Sequence, residues 1–350
     1  MLEYIKEKNV WDTLKDDNKP VVLYGMGLGA EKIMDTLAEY DIKVSDIFAS
    51  DEFVRGHSFM GYKVLKYSEI CDKYDDFNVV LCFASQLDNV IDNIKHINCE
   101  HTVFAPDVPV AGAGLFSREF IKENEENFDK VYNILADDES KKIYRNILNF
   151  KVSGKIKYLL DTFANKNDIY SNILNLDENE IILDLGAYDG DTIREFCNYT
   201  NNQYKKIIAL EPDKKNFKKL VKNTNNMKNI ELYNMGAWDK KDTLIFSTKA
   251  GRNSKLSAQG VPVEVTDIDS LNTNATFIKM DIEGAELKAL NGAKSTIKNN
   301  NSKLYICAYH RNEDLFELPL KILEINKNYK IFFRHSKYIP AWESNFYCVI

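Results

Sequence analysis

Short apolar runs alternate with segments of helical period over most of the chain. Between residues 20 and 105, "PVVLYG", "VSDIFAS", "NVVLCFAS" and "HTVFA" read as four strands. Between the first two, "GAEKIMDTLAEY" puts Ile33, Leu37 and Tyr40 on one helical face. Strands separated by helices imply crossover units and a parallel sheet. From 111 to 175 the pattern turns charged, helical and free of proline, which predicts two or three connecting helices. The alternation resumes at 180 with "EIILDLG", "KKIIALE", "NIELYNMGAW", "TFIKMD" and "KLYICAYH". "YKIFFRHS" and "NFYCVI" follow, and the link between them is too short for a helix. The second sheet should therefore end in an antiparallel hairpin. The expected organisation is α/β, with a Rossmann-like unit over 1–110, a helical connector over 111–175 and a second Rossmann-like unit over 176–350.

Composition narrows the function. The chain has 350 residues, 44% of them hydrophobic, and carries a net charge of −7 with no long basic run. A nucleic-acid partner is therefore not expected. No apolar stretch approaches the length of a membrane span, and the first residues lack the apolar core of a secretion signal. Six cysteines are scattered without a C-x-x-C pair. Buried thiols in a reducing compartment are expected rather than disulfides or zinc, so a cytoplasmic protein is anticipated.

Two glycine turns carry the candidate chemistry. Gly25-Met26-Gly27-Leu28-Gly29-Ala30 follows the first strand and opens a helix, and it satisfies G-x-G-x-x-A. Small residues there let a backbone approach a pyrophosphate at a helix N-terminus. Asp51, after the second strand, lies a little beyond the usual place for an acid that holds a ribose. A nucleotide-type turn that now serves packing alone fits these residues equally well.

The turn at 184–192 differs, because Asp184, Asp189 and Asp191 crowd the small residues Gly186, Ala187 and Gly190, with Thr192 following. Carboxylates repel phosphate and favour a ligand with donors and positive charge. S-adenosylmethionine offers an ammonium, a sulfonium and two ribose hydroxyls. Glu211, followed by Pro212, ends the next strand, where an acid can take both hydroxyls. Gly236, Ala237 and Trp238 follow the third strand and could frame an adenine. Turn and capping chemistry is the plainer account of Asp184 and Asp191 taken singly.

"LDLGAYDGDT", "ALEPD", "FIKMDIEGAELKALNGA" and "CAYHRNEDL", in this order and spacing, resemble the FkbM family of S-adenosylmethionine-dependent methyltransferases over about 170–350. The resemblance implies a seven-stranded class I methyltransferase sheet, with the donor over the carboxyl ends of the strands. It implies that Gly186, Asp189 and Gly190 line the methionine part, Glu211 the ribose and Ala237 the adenine edge. It further implies methyl transfer to an oxygen, or sometimes another atom, of a sugar, glycan or secondary metabolite. Many relatives carry Asn or Val in the glycine turn where this chain has Tyr188 and Asp189. Residues 20–75 resemble, less specifically, the amino-terminal nucleotide-binding-like unit of sugar-modifying acetyltransferases, which would imply contact with a nucleotide sugar.

Asp281 and His310 end neighbouring strands of the expected sheet, so His310 is the candidate base, with Asp281 orienting it or the acceptor. Glu283 sits beside the crevice, and Glu286 could simply complement a helix dipole. Asp281, Glu283 and His310 could also hold a divalent cation, although a metal-free site is expected. Polar residues Arg252, Asn253 and Ser257, and Arg334, Tyr338 and Trp342, are candidates for substrate contact. The leading expectation is O-methylation of a sugar, glycan or related polar metabolite by a chain that could form homo-oligomers. The alternatives are N-methylation of an amino group on a glycan-linked substituent, a nicotinamide enzyme using the first turn, and a non-catalytic scaffold of glycan assembly.

Overall fold

A computed structural model describes residues 1–54, 56–109, 111–112, 114–246 and 260–350. The amino-terminal apolar runs form β1 (Val21–Tyr24), β2 (Val44–Phe48), β5 (Asn78–Leu81) and β6 (Thr102–Phe104). Two short strands absent from the sequence reading, β3 (Ser58–Phe59) and β4 (Tyr62–Leu65), form an antiparallel pair that extends the sheet. The order is β3-β4-β2-β1-β5-β6. β1 and β5 are buried at every position, as continuous apolar runs demand of strands covered on both faces.

The carboxy-terminal sheet contains β7 (Ile181–Leu185), β8 (Lys206–Leu210), β9 (Ile230–Tyr233), β13 (Phe277–Met280), β14 (Lys303–Cys307), β15 (Lys330–His335) and β16 (Ser344–Val349). β10 (Gly236–Ala237), β11 (Asp242–Phe246) and β12 (Val261–Thr266) form a small separate sheet. The seven-stranded order is β15-β16-β14-β13-β7-β8-β9. β7, β8, β9, β13 and β14 run parallel, whereas β16 is antiparallel to both β14 and β15. The expected seven strands and terminal hairpin are both present. The order reverses between β7 and β13, and ligands of open α/β sheets bind outside the carboxyl ends at such a point.

The connecting helices are far from a loose tether. The helix Asp138–Ser153 is held at its start by the Asp137 side chain, which accepts from Ser140 N, and Gly154 ends it in the left-handed conformation. Tyr144 on this helix is fully buried and donates to Leu315 O at 2.9 Å. Lys151 forms a buried pair with Asp107 at 2.6 Å. One continuous apolar core joins β1 and β5, this helix, and β13 to β16.

The carboxyl ends of the two sheets meet. Ser85, just past β5, exchanges two backbone hydrogen bonds with Ile339 in the loop between β15 and β16, at 2.8 and 3.0 Å. Ala111 N donates to His310 O at 2.9 Å. Among the described residues, no helix is long and apolar enough to cross a membrane. The six cysteines are free.

Candidate active site

The site grows from the turn after β7. Gly186 has φ +81°, and a Cβ there would overlap the carbonyl oxygen of Asp281. Only glycine lets β7 and β13 close up at this level. Gly186 N and Ala187 N both donate to Leu210 O, at 3.0 and 3.1 Å. Gly190, also in the left-handed region, caps the helix Asp191–Tyr199. Tyr188 between them takes φ +47°, an unusual backbone for a side chain of that size. That conformation aims Tyr188 N at Glu211 Oε2, 2.9 Å away.

Asp184 is wholly buried and neither carboxylate oxygen has a hydrogen-bond partner in the structure. Burial pushes its pKa up to about 6, against the pull of Lys279 Nζ at 3.5 Å. Glu211 is also buried, and that burial raises it to about 7 against two backbone donors. Its oxygens accept from Tyr188 N and from Asp213 N at 2.8 Å. Each oxygen keeps a further lone pair for a hydroxyl. Pro212 O and Glu211 O both accept from Asn234, which ties this strand end to the next. Ala237 is buried, and Trp238 N donates to Thr266 O at 2.8 Å. Lys288 Nζ lies 5.6 Å from the Trp238 ring centre.

Two acids of the turn are placed differently. Asp189 pairs with Arg194 at 3.1 Å, so its carboxylate is already engaged by a neighbouring cation. Asp191 is exposed at the first position of the helix and accepts from Thr192 N at 2.8 Å, where an acid also complements the helix dipole. Of the three turn acids, Asp184 alone is buried and unsatisfied.

Across the crevice, Lys279 on β13 supplies what the sequence reading missed. Its ammonium lies 3.5 Å from both Asp184 Oδ1 and Asp281 Oδ2, and it donates to Gly186 O at 3.4 Å. Burial would lower its pKa, but the two acids raise it well above the ordinary lysine value. A lysine inside "TFIKMD" looks like a routine strand residue, and only the carboxylates on either side give it a role. Burial would raise Asp281, yet Lys279, His310 and Tyr309 together hold it ionised. Tyr309 Oη donates to Asp281 Oδ1 at 3.1 Å.

His310 is brought beside Asp281, as expected, and its ring lies among three carboxylates that favour its charged form. The ring is 2% exposed and faces carboxylates on both sides. Nε2 is 3.3 Å from Asp281 Oδ1 and 3.8 Å from Glu283 Oε2, and Nδ1 is 2.9 Å from Glu286 Oε1. Burial opposes the charge, but Glu286, Asp281 and Glu283 outweigh it and push the pKa up to about 10. The imidazole therefore holds its proton at neutral pH. Glu286 does more than complement a helix dipole, since it is fully buried and accepts from Ile282 N at 2.9 Å. Glu283 takes φ +56°, which turns this half-exposed side chain toward His310.

The substrate expectations divide. Arg334 is buried and pairs with Asp137 at 2.6 Å, because β15 packs against the connecting helices, so it is structural. Tyr338 and Trp342 form a ring pair at 6.0 Å in the loop between β15 and β16, at the crevice end of the sheet. The expected contacts Arg252, Asn253 and Ser257 lie outside the described residues.

These residues fit S-adenosylmethionine. The orphaned buried oxygens of Asp184 and the spare lone pairs of Glu211 can accept from its hydroxyls and ammonium, and the cradle at Gly186 that a Cβ would fill leaves room for its approach. Sheet order and site define a methyltransferase that uses this donor. Residues 184–331 match the family model described as the methyltransferase FkbM domain, and the carboxy-terminal half of the chain carries that domain. No curated protein matches. The chain is similar to a crystal structure of a methyltransferase FkbM from Methylobacillus flagellatus KT, with 23% identity and a TM-score of 0.72. That match covers 99% of this chain and 92% of the other, and it extends the shared fold through the amino-terminal sheet. A precorrin-6y C5,15-methyltransferase from Geobacter metallireducens GS-15 matches at 13% identity and a TM-score of 0.33, over 51% of this chain and 84% of its own. An rRNA methylase from Streptococcus thermophilus matches at 11% and 0.36, over 53% and 93%. Likenesses that loose carry no further argument.

Proposed function

We propose that the chain methylates a hydroxyl of a sugar, glycan or related polar metabolite, with Asp281 as the group that accepts the hydroxyl's proton. When bound, the donor supplies an electrophilic methyl on a sulfonium centre. The observation that carries this reading is the placement of Asp281 (28% exposed) at the crevice end of β13, directly over Gly186. Lys279, His310 and Tyr309 keep it ionised and fix its orientation. An ionised, oriented carboxylate can hold an acceptor hydroxyl in line and take its proton in the transition state. Asp184, Gly186 and Ala187 would hold the methionine part, Glu211 the ribose, and Ala237 and Trp238 the adenine.

The half-buried Tyr338 and Trp342 offer aromatic faces of the kind that sugar rings stack on. Their loop meets Ser85 at the end of β5, which favours an acceptor that also reaches the amino-terminal sheet, as a nucleotide sugar would. Free thiols suit a reducing, cytoplasmic setting.

The test is incubation of the full chain with S-adenosylmethionine and a panel of nucleotide sugars, read by mass spectrometry. A methyl gain at a hydroxyl is expected. Methyl found only on amino sugars would move the reaction to nitrogen, and no gain with any polyhydroxylated acceptor would remove the sugar reading.

A further inference from the structure

The helix Lys214–Asn223 carries Lys214, Lys215, Lys218, Lys219 and Lys222. At about 3.6 residues per turn, these positions fall within an arc of about 140°. Leu220, the buried residue of the helix, lies opposite the middle of that arc, with half-buried Phe217 beside it. One face of the helix therefore goes to the core and a wholly cationic face goes to solvent. All five lysines are exposed. Asn216, Phe217, Leu220 and Val221 interrupt them along the chain, so no unbroken basic run marks the face.

Counter-charge is missing from this face. Among the described residues, none of the five lysines forms an ion pair with a carboxylate. The neighbouring acids are engaged elsewhere, Asp189 by Arg194 and Glu231 by Lys206. Asp213 caps the helix, accepting from Lys215 N and Asn216 N. In a chain of net charge −7, five positive charges gathered without partners form a local exception. We propose that this face adsorbs the protein to the surface of an anionic lipid bilayer.

Lysine chemistry favours lipid over nucleic acid. Ammonium groups are point charges suited to a diffuse layer of headgroup phosphates, whereas nucleic acid draws on planar arginines and stacked aromatic rings. From Lys214 to Lys222 the exposed positions hold no arginine and no aromatic ring. Phe217 and Leu220 are taken up by the core, so the attraction is electrostatic and the helix does not insert. The acidic remainder of the surface is repelled, which leaves one orientation for docking. The helix also packs on the donor turn. Asn223 donates to Asp189 O at 2.8 Å, and Leu220 would meet a Cβ built on Gly190 at 3.2 Å. Adsorption would hold that rim of the donor site beside the bilayer, where a sugar or glycan carried on a lipid is presented. This last consequence rests on the proposed acceptor, whereas adsorption itself does not.

Co-sedimentation of the full-length chain with vesicles, without donor or acceptor, tests it. Binding is expected to phosphatidylcholine vesicles containing about 30% phosphatidylglycerol, and not to phosphatidylcholine alone. It should fall at least about tenfold between about 50 and 300 mM salt. Lys215→Gln, Lys218→Gln and Lys222→Gln combined should weaken it by about 100-fold, with affinity for S-adenosylhomocysteine unchanged. Lys8→Gln, Lys43→Gln and Lys63→Gln combined remove the same charge from other exposed positions and should leave vesicle binding within about twofold. Circular dichroism checks the fold of both variants. No binding of the unaltered chain to the anionic vesicles would overturn the proposal, as would equal losses in the two variants. Stronger binding per phosphate to an RNA oligomer would also overturn it, in favour of a nucleic-acid partner. Each of these results would leave the methyl-transfer reading standing.

Discussion

The two glycine turns occupy equivalent places, each after the first strand of its sheet in chain order, yet they are built for different work. In the first, Gly25 stands where a Cβ would lie 2.6 Å from the Phe83 ring, and a Cβ on Gly29 would overlap the Cys82 carbonyl. Packing alone therefore explains two of its three glycines. Gly27, at φ +112°, has nothing within 4 Å of a built Cβ. In the second turn, the glycine that packing demands, Gly186, is also the one that brings Asp184, Lys279 and Asp281 together. The difference teaches that a glycine motif indicates a ligand only when charged groups are gathered by the same close approach. The first turn opens instead on a cavity of about 320 Å³ whose lining among the described residues is Met26, Phe53, His57 and Ser58.

Substitutions can break this contrast, and Gly186→Ala should act most strongly. It meets both a left-handed backbone and the Asp281 carbonyl, so a loss of more than about 3 kcal/mol of stability is expected, with donor binding abolished. Thermal unfolding and calorimetric titration with S-adenosylhomocysteine would read both. Retained binding in a folded Gly186→Ala chain would mean the close approach is dispensable.

Glu211 gives the next effect. Glu211→Gln should weaken S-adenosylhomocysteine by about 10- to 100-fold, the worth of charge-assisted bonds to hydroxyls. The wild-type chain should also bind it more weakly as pH falls below about 7, where Glu211 takes up its proton. The sign for stability is opposite. A folded pKa above the ordinary 4.5 means Glu211 favours folding at low pH and loses that contribution as pH rises through about 7. Ligand-induced stabilisation should thus be larger at pH 8 than at pH 6, and a flat profile would remove Glu211 as the titrating group.

Gly27→Ala is the smallest on the donor side. It should cost about 1–3 kcal/mol of stability, since its backbone lies in a region essentially reserved for glycine. Affinity for S-adenosylhomocysteine should not change. A weakened affinity would show that the two turns share a ligand after all.

Much of the architecture was legible because parallel strands covered on both faces read as unbroken apolar runs, as in "NVVL" and "KLYIC". The β3–β4 pair escaped because strands of two and four residues, within "HSFMGYKVL", carry too little period to register. The turn was legible in its acids, but their separate fates were not. Asp184 is buried by the strand it ends, whereas Asp189 meets Arg194 five residues on, a pairing visible only once the helix forms. The surroundings of His310 were not legible, because its ordinary pKa says nothing of the three carboxylates gathered around the ring. Arg334 looked like a substrate contact because its partner, Asp137, comes from the connecting helices nearly 200 residues away.

Lys279 gives the site a property beyond geometry. One ammonium serves as counter-charge to Asp184 on the donor side and to Asp281 on the acceptor side. Whatever neutralises one acid frees the lysine to stabilise the other, so events at the two ends are thermodynamically linked. Linkage of this kind is reciprocal: if donor occupancy strengthens the hold on acceptor, acceptor must strengthen the hold on donor by the same factor. Substrate order in such an enzyme would then be written partly in the proton affinities of two acids, one buried and one open to the crevice, that share a single lysine.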